Sequence, residues 1–275
     1  AKRMHIPVYH MEAGNRSFDE NVPEETNRRL VDHVSDFNLP YTEHARRNLL
    51  AEGIHPRRIM MSGSPMREVL EHYRSKIDSS QILQTLGLEA QKYFLVSAHR
   101  QENVDSPERL KDLLNSLKAI HGEWKLPLMV STHPRTRKQL EAIPGYRDIQ
   151  GVTFHEPFGF LDYNKLQLNA KCVISDSGTI SEESTILGFP AITIRDSIER
   201  PEALDFGGMV MTGLQADNVL AGIREALDSA AERDSGEGQS FPQGYEVADC
   251  STRVVKFMLS TITRHHDWAG IRSLD

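Results

Sequence analysis

A parallel-sheet α/β architecture, with helices over both sheet faces, is the fold class this sequence predicts. Three observations carry it. Apolar runs such as Tyr93-Phe94-Leu95-Val96 and Cys172-Val173-Ile174 read as strands buried on both faces. Helical patterns alternate with those runs, as βαβ units require. Two runs end in polar loops that open helices, the place where parallel sheets bind ligands.

Residues 6–11 read as a short apolar strand ending at Glu12-Ala13-Gly14. Pro23-Glu24-Glu25 opens a helix running through His33, its proline and acids suited to a first turn. Residues 37–40 suggest a second short strand, Thr42 N-caps a helix that Gly53 stops, and 58–65 read as strand then turn. The polar stretch 73–91 precedes a second series. Its strands are 92–97, 127–131, 173–175 and 191–194, with helices from about Pro107 to His121 and from near Thr179. Residues 228–243 read as a solvated loop, and 251–263 as an amphipathic helix. Only about two βα units precede residue 73, so either the first domain is unusually small or its opening units are absent, and absence is the expectation. Ala1-Lys2-Arg3 then reads as a helix tail.

The 275 residues, 39% hydrophobic, suffice for one large or two medium domains. Mean hydropathy is −0.46, and no apolar run nears the roughly 18 residues of a membrane span. Pro7 follows Ala1-Lys2-Arg3-Met4-His5-Ile6 where a signal peptide needs a long apolar stretch. A cytoplasmic chain is expected, with no membrane partner. The net charge of −7, with signs interspersed, argues against nucleic acid. Cys172 and Cys250 match no metal-ligand spacing, and a disulfide is not expected in a reducing compartment. Cys172, inside an apolar run, reads as a small buried hydrophobe.

The most informative segment is Asp176-Ser177-Gly178-Thr179-Ile180-Ser181-Glu182-Glu183. Backbone N–H groups at a helix start, with Ser177, Gly178 and Thr179, suit a diphosphate. Glu182 and Glu183 stand where ribose hydroxyls can be accepted. A well-capped helix with an acidic first turn is the plainer alternative. The second segment, Arg195 to Glu202, puts arginines at a strand's carboxyl end, suited to phosphate; a salt-bridged surface loop is its alternative. Glu12 at a strand end, Glu24 at a helix start and His99 after the 92–97 strand are candidate acid–base groups. Each has an ordinary reading too: loop acceptor, helix-dipole charge and satisfied histidine. His133, in Ser131-Thr132-His133-Pro134-Arg135, shares that ambiguity. The residues alone reach a diphosphate-nucleotide enzyme.

The segments His10-Met11-Glu12-Ala13-Gly14-Asn15-Arg16-Ser17, Pro23-Glu24-Glu25-Thr26-Asn27-Arg28, Ala98-His99-Arg100-Gln101-Glu102-Asn103, Asp176-Ser177-Gly178 with Glu182-Glu183, and Glu199-Arg200-Pro201-Glu202 occur in that order. This resembles the bacterial non-hydrolysing UDP-N-acetylglucosamine 2-epimerases, from Ala1 to about Gly213. The resemblance implies a GT-B-like fold of two Rossmann-like domains with the active site in the interdomain cleft. The expected domains are 1–75 (the remainder of the first), 76–245 (UDP-binding) and 246–275 (a helix returning to the first). It implies C2 epimerisation of a UDP-N-acetylhexosamine by elimination and re-addition of UDP, for surface polysaccharide precursors. No metal or redox cofactor is implied, and a homodimer is. By the same resemblance Glu12, Glu24 and His99 match catalytic positions; Ser177, Gly178, Glu183 and Arg200 match UDP-binding ones, with Thr179 beside them. Arg100 and His133 match positions that some members use for an allosteric substrate molecule. Met11 to Asn15, Ser131 to Thr136 and Asp176 to Ile180 are closer to the branch that forms UDP-N-acetyl-L-fucosamine from the 6-deoxy-L-talose epimer. A glycosyltransferase of the same fold is the other enzyme class in view.

The family's Gly-Thr-Arg-Pro loop and its Gly-Asp-Thr aspartate both lie upstream of Ala1 in this resemblance. On the order of 90 residues are then expected to be missing, at roughly 30 per βαβ unit. The 275-residue chain is accordingly expected to show no epimerase turnover in a coupled assay. Normal turnover would refute that expectation.

Overall fold

The computed structural model describes residues 1–234 and 242–272. In chain order its elements are β1 (Tyr9–Met11), α1 (Pro23–Val34), β2 (Phe37–Leu39), α2 (Glu43–Ala51), α3 (Met66–Asp78), α4 (Ile82–Leu86), β3 (Phe94–Ser97), α5 (Gln101–Val104), α6 (Pro107–Trp124), β4 (Leu128–Ser131) and α7 (Pro134–Leu140). They continue as β5 (Val152–His155), α8 (Phe160–Asn169), β6 (Cys172–Ser175), α9 (Ile180–Leu187), β7 (Ala191–Thr193), α10 (Glu202–Asp205), β8 (Val210–Met211), α11 (Ala216–Asp234), α12 (Cys250–Thr261) and α13 (His265–Ala269). The chain divides into two compact units. One comprises Ala1–Glu71, Ser197–Glu202 and Phe241–Asp275; the other comprises His72–Asp196 and Ala203–Ser240. The short Ser197–Glu202 segment thus belongs to the first unit, although the sequence alone puts it inside 76–245. No described helix is long and apolar enough to cross a membrane.

In the second unit six parallel strands run in the order β5-β4-β3-β6-β7-β8. The central strands β3 and β6 are buried nearly throughout, as strands covered on both faces must be. α6 shows why the covering helices form. Pro107 occupies its first turn, Ser106 Oγ accepts the Arg109 amide, and Leu110, Leu113, Leu114, Leu117 and Ile120 form one buried stripe. That stripe joins Phe94, Val96, Leu128, Val130 and Ile174 in the unit's core.

The first unit holds a two-stranded parallel sheet, β1 beside β2. Its core joins Phe37 and Leu39 to Val247, Cys250 and Val254, so α12 packs within this unit. Tyr9 stacks on Phe37 at 4.8 Å, and Phe257 meets both edge-on. Gly63, at φ +77°, lies so close to Val247 that a Cβ would stand 2.4 Å from its side chain. Only glycine fits there.

Several sequence expectations change for identifiable reasons. The first strand is confined to Tyr9–Met11, because Pro7 has no N–H and the Val8 amide is taken by the Asp36 carboxylate at 2.9 Å. Residues 58–65 form no full strand; Pro56–Arg58 is a 3₁₀ turn, and Ile59 makes one isolated bridge to Asn38. Thr42 does stand before α2, but its hydroxyl makes no cap hydrogen bond and is buried without a partner among the described residues. The supposed loop from 228 is helical to Asp234, since Ala230, Ala231, Glu232 and Arg233 are strong helix formers continuing α11. Residues 235–241 of that expected loop lie outside the described residues. Lys2–Met4 at the start is a 3₁₀ turn. Cys172 is fully buried, and burial pushes its thiol up to about 12.

Leu117 has no exposed surface. Leu117→Ala is expected to lower the unfolding free energy by about 2–5 kcal/mol, through lost burial and the cavity left behind. Urea denaturation would show this as a lower midpoint at unchanged slope.

Candidate active site

The strand order of the second unit turns at β3 and β6: β4 and β5 lie beyond β3, β7 and β8 beyond β6. Such a switch point leaves a crevice at the carboxyl ends of the two strands. The register levels Ser97 with Ser131 on one side and Ser175 on the other, and Ser175 with Thr193. Four hydroxyl residues therefore end these strands at one height, and their loops leave side by side.

Asp176, fully buried, ties the two central loops together. Its carboxylate accepts the amides of His99 at 3.0 and 3.1 Å and of Arg100 at 2.9 Å, with Asn103 Nδ2 at 3.1 Å. His99 Nδ1 stands 3.1 Å away. Burial by itself would raise this carboxyl. The hydrogen bond and charge of His99, then the Arg100 amide and Asn103, outweigh it and hold Asp176 below the usual 3.8. Asn103 in turn accepts from Arg109 at 2.8 Å, and Arg109 pairs with Asp196 beyond β7 at 2.6 Å. Tyr163 on α8 hydrogen-bonds Ser97 and Ser175, and burial raises its hydroxyl. At the tip of β4, His133 caps α7 by accepting the Arg135 amide, its ring 6.3 Å from that of His99. Arg100 stands at the N-cap position of α5.

The loop from β6 to α9 binds itself through hydroxyls. The Ser177 amide donates to Ser175 Oγ at 3.0 Å, and the Thr179 amide to Ser177 Oγ at 3.3 Å. Ser177 Oγ and Thr179 Oγ1 are 3.0 Å apart. Thr179 Oγ1 donates to Glu183 Oε1 at 2.7 Å, and Gln167 Nε2 from α8 donates to Glu183 Oε2 at 2.6 Å. Glu183 is half-buried, whereas Glu182 is buried. Of the two acids read from sequence as ribose acceptors, Glu183 is therefore the more exposed residue.

In the first unit the loop after β1 is held by buried charge. Arg16, without exposed surface, donates to Glu52 at 2.8 and 2.7 Å and to the Asn15 carbonyl at 2.8 Å, and pairs with Asp32 at 2.7 Å. Asp32 also binds His10 Nδ1 at 2.8 Å and the Gly14 amide at 3.1 Å. Gly14 is at φ +82°, and a Cβ there would lie 2.2 Å from the Ala45 carbonyl oxygen. Glu25 accepts the Ser17 amide at 2.8 Å and pairs with Arg29. This fixed loop carries Glu12, at φ +60°, whose carboxylate meets Arg200 at 2.8 Å and Asn15 Nδ2 at 3.2 Å. Arg28 pairs with buried Glu199 at 3.4 Å. Glu202 beside them is raised by burial and accepts from the Tyr245 hydroxyl at 3.1 Å.

The candidate residues thus fall into three groups. His99, Arg100 and His133 stand on the β3 and β4 tips. Ser177, Gly178, Thr179 and Glu183 share the α9 start. Glu12 and Arg200 form an ion pair in the first unit, where Glu24 is an exposed residue of the first turn of α1. Sequence reasoning did not single out Asp176 as the anchor of the His99 loop, although an acid directly after a buried strand was a signal. Gln167 carried none, because α8 was not recognised. Among the described residues no group of three or more His, Cys, Asp and Glu side chains is arranged to hold a metal ion.

The parallel sheet, with polar loops converging at its switch point, belongs to an α/β chain of GT-B-like fold. The family model described as UDP-N-acetylglucosamine 2-epimerase matches residues 1–259, and the chain belongs to that family. It is 35% identical over 234 residues to the UDP-N-acetylglucosamine 2-epimerase of Methanocaldococcus jannaschii, covering 83% of this chain and 64% of that protein. The chain thus spans less than two thirds of that relative's length. It is similar to the structure of the Rickettsia bellii UDP-N-acetylglucosamine 2-epimerase, with TM-score 0.88, 43% identity, and coverage of 96% of this chain and 70% of that one. It also resembles the Methanocaldococcus jannaschii UDP-GlcNAc 2-epimerase in complex with UDP-GlcNAc and UDP, with TM-score 0.82, 31% identity, and coverage of 94% and 71%.

Because the native value of Asp176 lies below its usual 3.8, its contribution to stability is present above that value and lost as pH falls through the lowered one. Asp176→Asn is expected to be less stable than wild type at neutral pH, with the difference shrinking as the solution is acidified. Denaturation curves from pH 7 downward check this; a constant difference would remove Asp176 as the source.

Proposed function

We propose that this protein epimerises a UDP-N-acetylhexosamine of the UDP-GlcNAc/UDP-ManNAc type at C2, by eliminating UDP and adding it back. The observation that carries this reading is the His99–Asp176 tie at the β3–β6 switch point, next to the hydroxyl-lined start of α9. In this reading the Ser177, Gly178 and Thr179 loop, with Arg200, holds the diphosphate as negative charge develops on it. Glu183 accepts ribose hydroxyls. Glu12, Glu24 and His99 supply the acid and base that remove the C2 proton from one face and return it to the other. Asp176 fixes the His99 ring and its loop amides. Arg100 and His133 bind a second, regulatory substrate molecule. The relatives' shared chemistry at C2 supports the reaction.

The protein acts in the cytoplasm, as a homodimer, and feeds surface polysaccharide precursors. The finer alternative, UDP-2-acetamido-2,6-dideoxy-L-talose to UDP-N-acetyl-L-fucosamine, uses the same acid–base groups on a different sugar. Turnover of the two substrates side by side separates them.

Expressed from its complete reading frame and incubated with UDP-sugar alone in D₂O, the protein is expected to form the C2 epimer carrying deuterium at C2. Glu24→Gln should lower turnover by about 10²–10⁴-fold, the usual share of a general acid or base, while UDP affinity persists. Unchanged turnover would sink the role of Glu24. Product only in the presence of an acceptor would identify a glycosyltransferase, and free ManNAc with UDP a hydrolysing enzyme.

A further inference from the structure

The loop after β6 contains a carboxylate whose two oxygens are each held by a neutral donor. Thr179 Oγ1 donates to one oxygen of Glu183 at 2.7 Å, and Gln167 Nε2 to the other at 2.6 Å. Gln167 has no exposed surface, so its amide cannot swing to water. Its orientation is also fixed chemically, since a carbonyl turned toward the carboxylate would be repelled. The Gln167 Oε1 end is buried with no partner among the described residues. A leucine would avoid that cost, so the gain from this amide lies at Nε2.

Two consequences follow. An ionised carboxylate is acceptor-only, with about four lone-pair sites, of which the two donors occupy one on each oxygen. What remains is a pair of acceptor sites, one per oxygen, on a carboxylate whose plane the two donors set. A vicinal diol offers two hydroxyl donors at matching separation. A phosphate offers none and is repelled by the charge.

The geometry assigns Gln167 as the positioning residue that sets ribose selectivity at this site, acting through Glu183, which the proposed function already gives to the ribose hydroxyls. The protein then takes ribonucleoside diphosphate sugars and discriminates against their deoxy counterparts. This inference rests on the proposed UDP site, and concerns a residue that acts only through Glu183. Without Gln167 the carboxylate keeps its charge but loses its plane, and a flexible acceptor pair gains less from two fixed hydroxyls.

The test is calorimetric binding of UDP, 2′-deoxy-UDP and 3′-deoxy-UDP to the protein expressed from its complete reading frame. Wild type is expected to bind UDP about tenfold or more tighter than at least one deoxy analogue, as a hydrogen bond to a charged group implies. Gln167→Met keeps the volume and removes the donor. It is expected to bring the ratio to within about threefold, mainly by weakening UDP. Thr179→Val, which removes the other clamp, should narrow it likewise and decides the matter if Gln167→Met fails to fold. Leu166→Ala, a buried neighbour on α8, should lower Tm and leave the ratio alone. A wild-type ratio in both clamp variants overturns the inference, as does wild-type binding of UDP with no preference for ribose. In either case UDP binding itself still stands. If wild type binds no UDP, the proposed site falls and this inference with it.

Discussion

The second unit depends on one buried carboxylate. Asp176 sits where the strand order turns, and it draws two backbone amides and an asparagine from the β3 loop onto the end of β6. A buried charge is costly unless its acceptor sites are filled. The loop after β3 is therefore not free to adopt another course, because any course that removes those donors strands the charge. Parallel sheets of this kind leave their strand ends open by construction. Asp176 converts an open end into a site of fixed shape, placing His99 and the α9 start on either side of itself.

The first unit uses the same device with the charge reversed. Arg16 is fully buried, and its guanidinium is divided among Glu52, Asp32 and the Asn15 carbonyl. Breaking such a cluster by removing one partner costs about 3–5 kcal/mol, since it leaves an uncompensated buried charge. The loop bearing Glu12 is consequently set by hydrogen bonds and ion pairs of His10, Gly14, Arg16, Ser17 and Glu25 within the protein. A short motif here is mostly scaffold around one or two exposed groups.

This division explains what the sequence disclosed. Strands buried on both faces, such as Phe94–Ser97 and Cys172–Ser175, declare themselves by unbroken apolar runs. α6 did so by its leucine spacing. Edge elements did not. In β5 only Val152 is buried, and β8 is two residues long, so neither shows a period. Most of the candidate residues could be singled out because they sit in polar loops directly after readable strands, with Glu24 in the first turn of α1. Gln167 was not, because its role comes from a helix packed beside α9, and no local pattern reports such a neighbour. Glu24 and Glu25 illustrate the same limit. Adjacent and chemically alike, they differ entirely in burial, since successive helical residues point about 100° apart.

The contrast between buried and exposed charge also bears on the proposed reaction. The Arg200 side chain is nearly buried, but its partner Glu12 is about two-fifths exposed. An ion pair with one end in water is worth little, on the order of 1 kcal/mol or less. A diphosphate offers Arg200 more negative charge and a geometry suited to its planar fork. Under the proposed function, substrate therefore competes effectively with Glu12 for Arg200, where it could not compete with Asp32 and Glu52 for Arg16. The carboxylate so released stays in place, because its loop is held by Arg16 and Glu25 and not by Arg200. Under that proposal, binding of the leaving group and release of the Glu12 carboxylate are one event, and what would permit this is the unequal burial of two arginine–carboxylate pairs in the same unit.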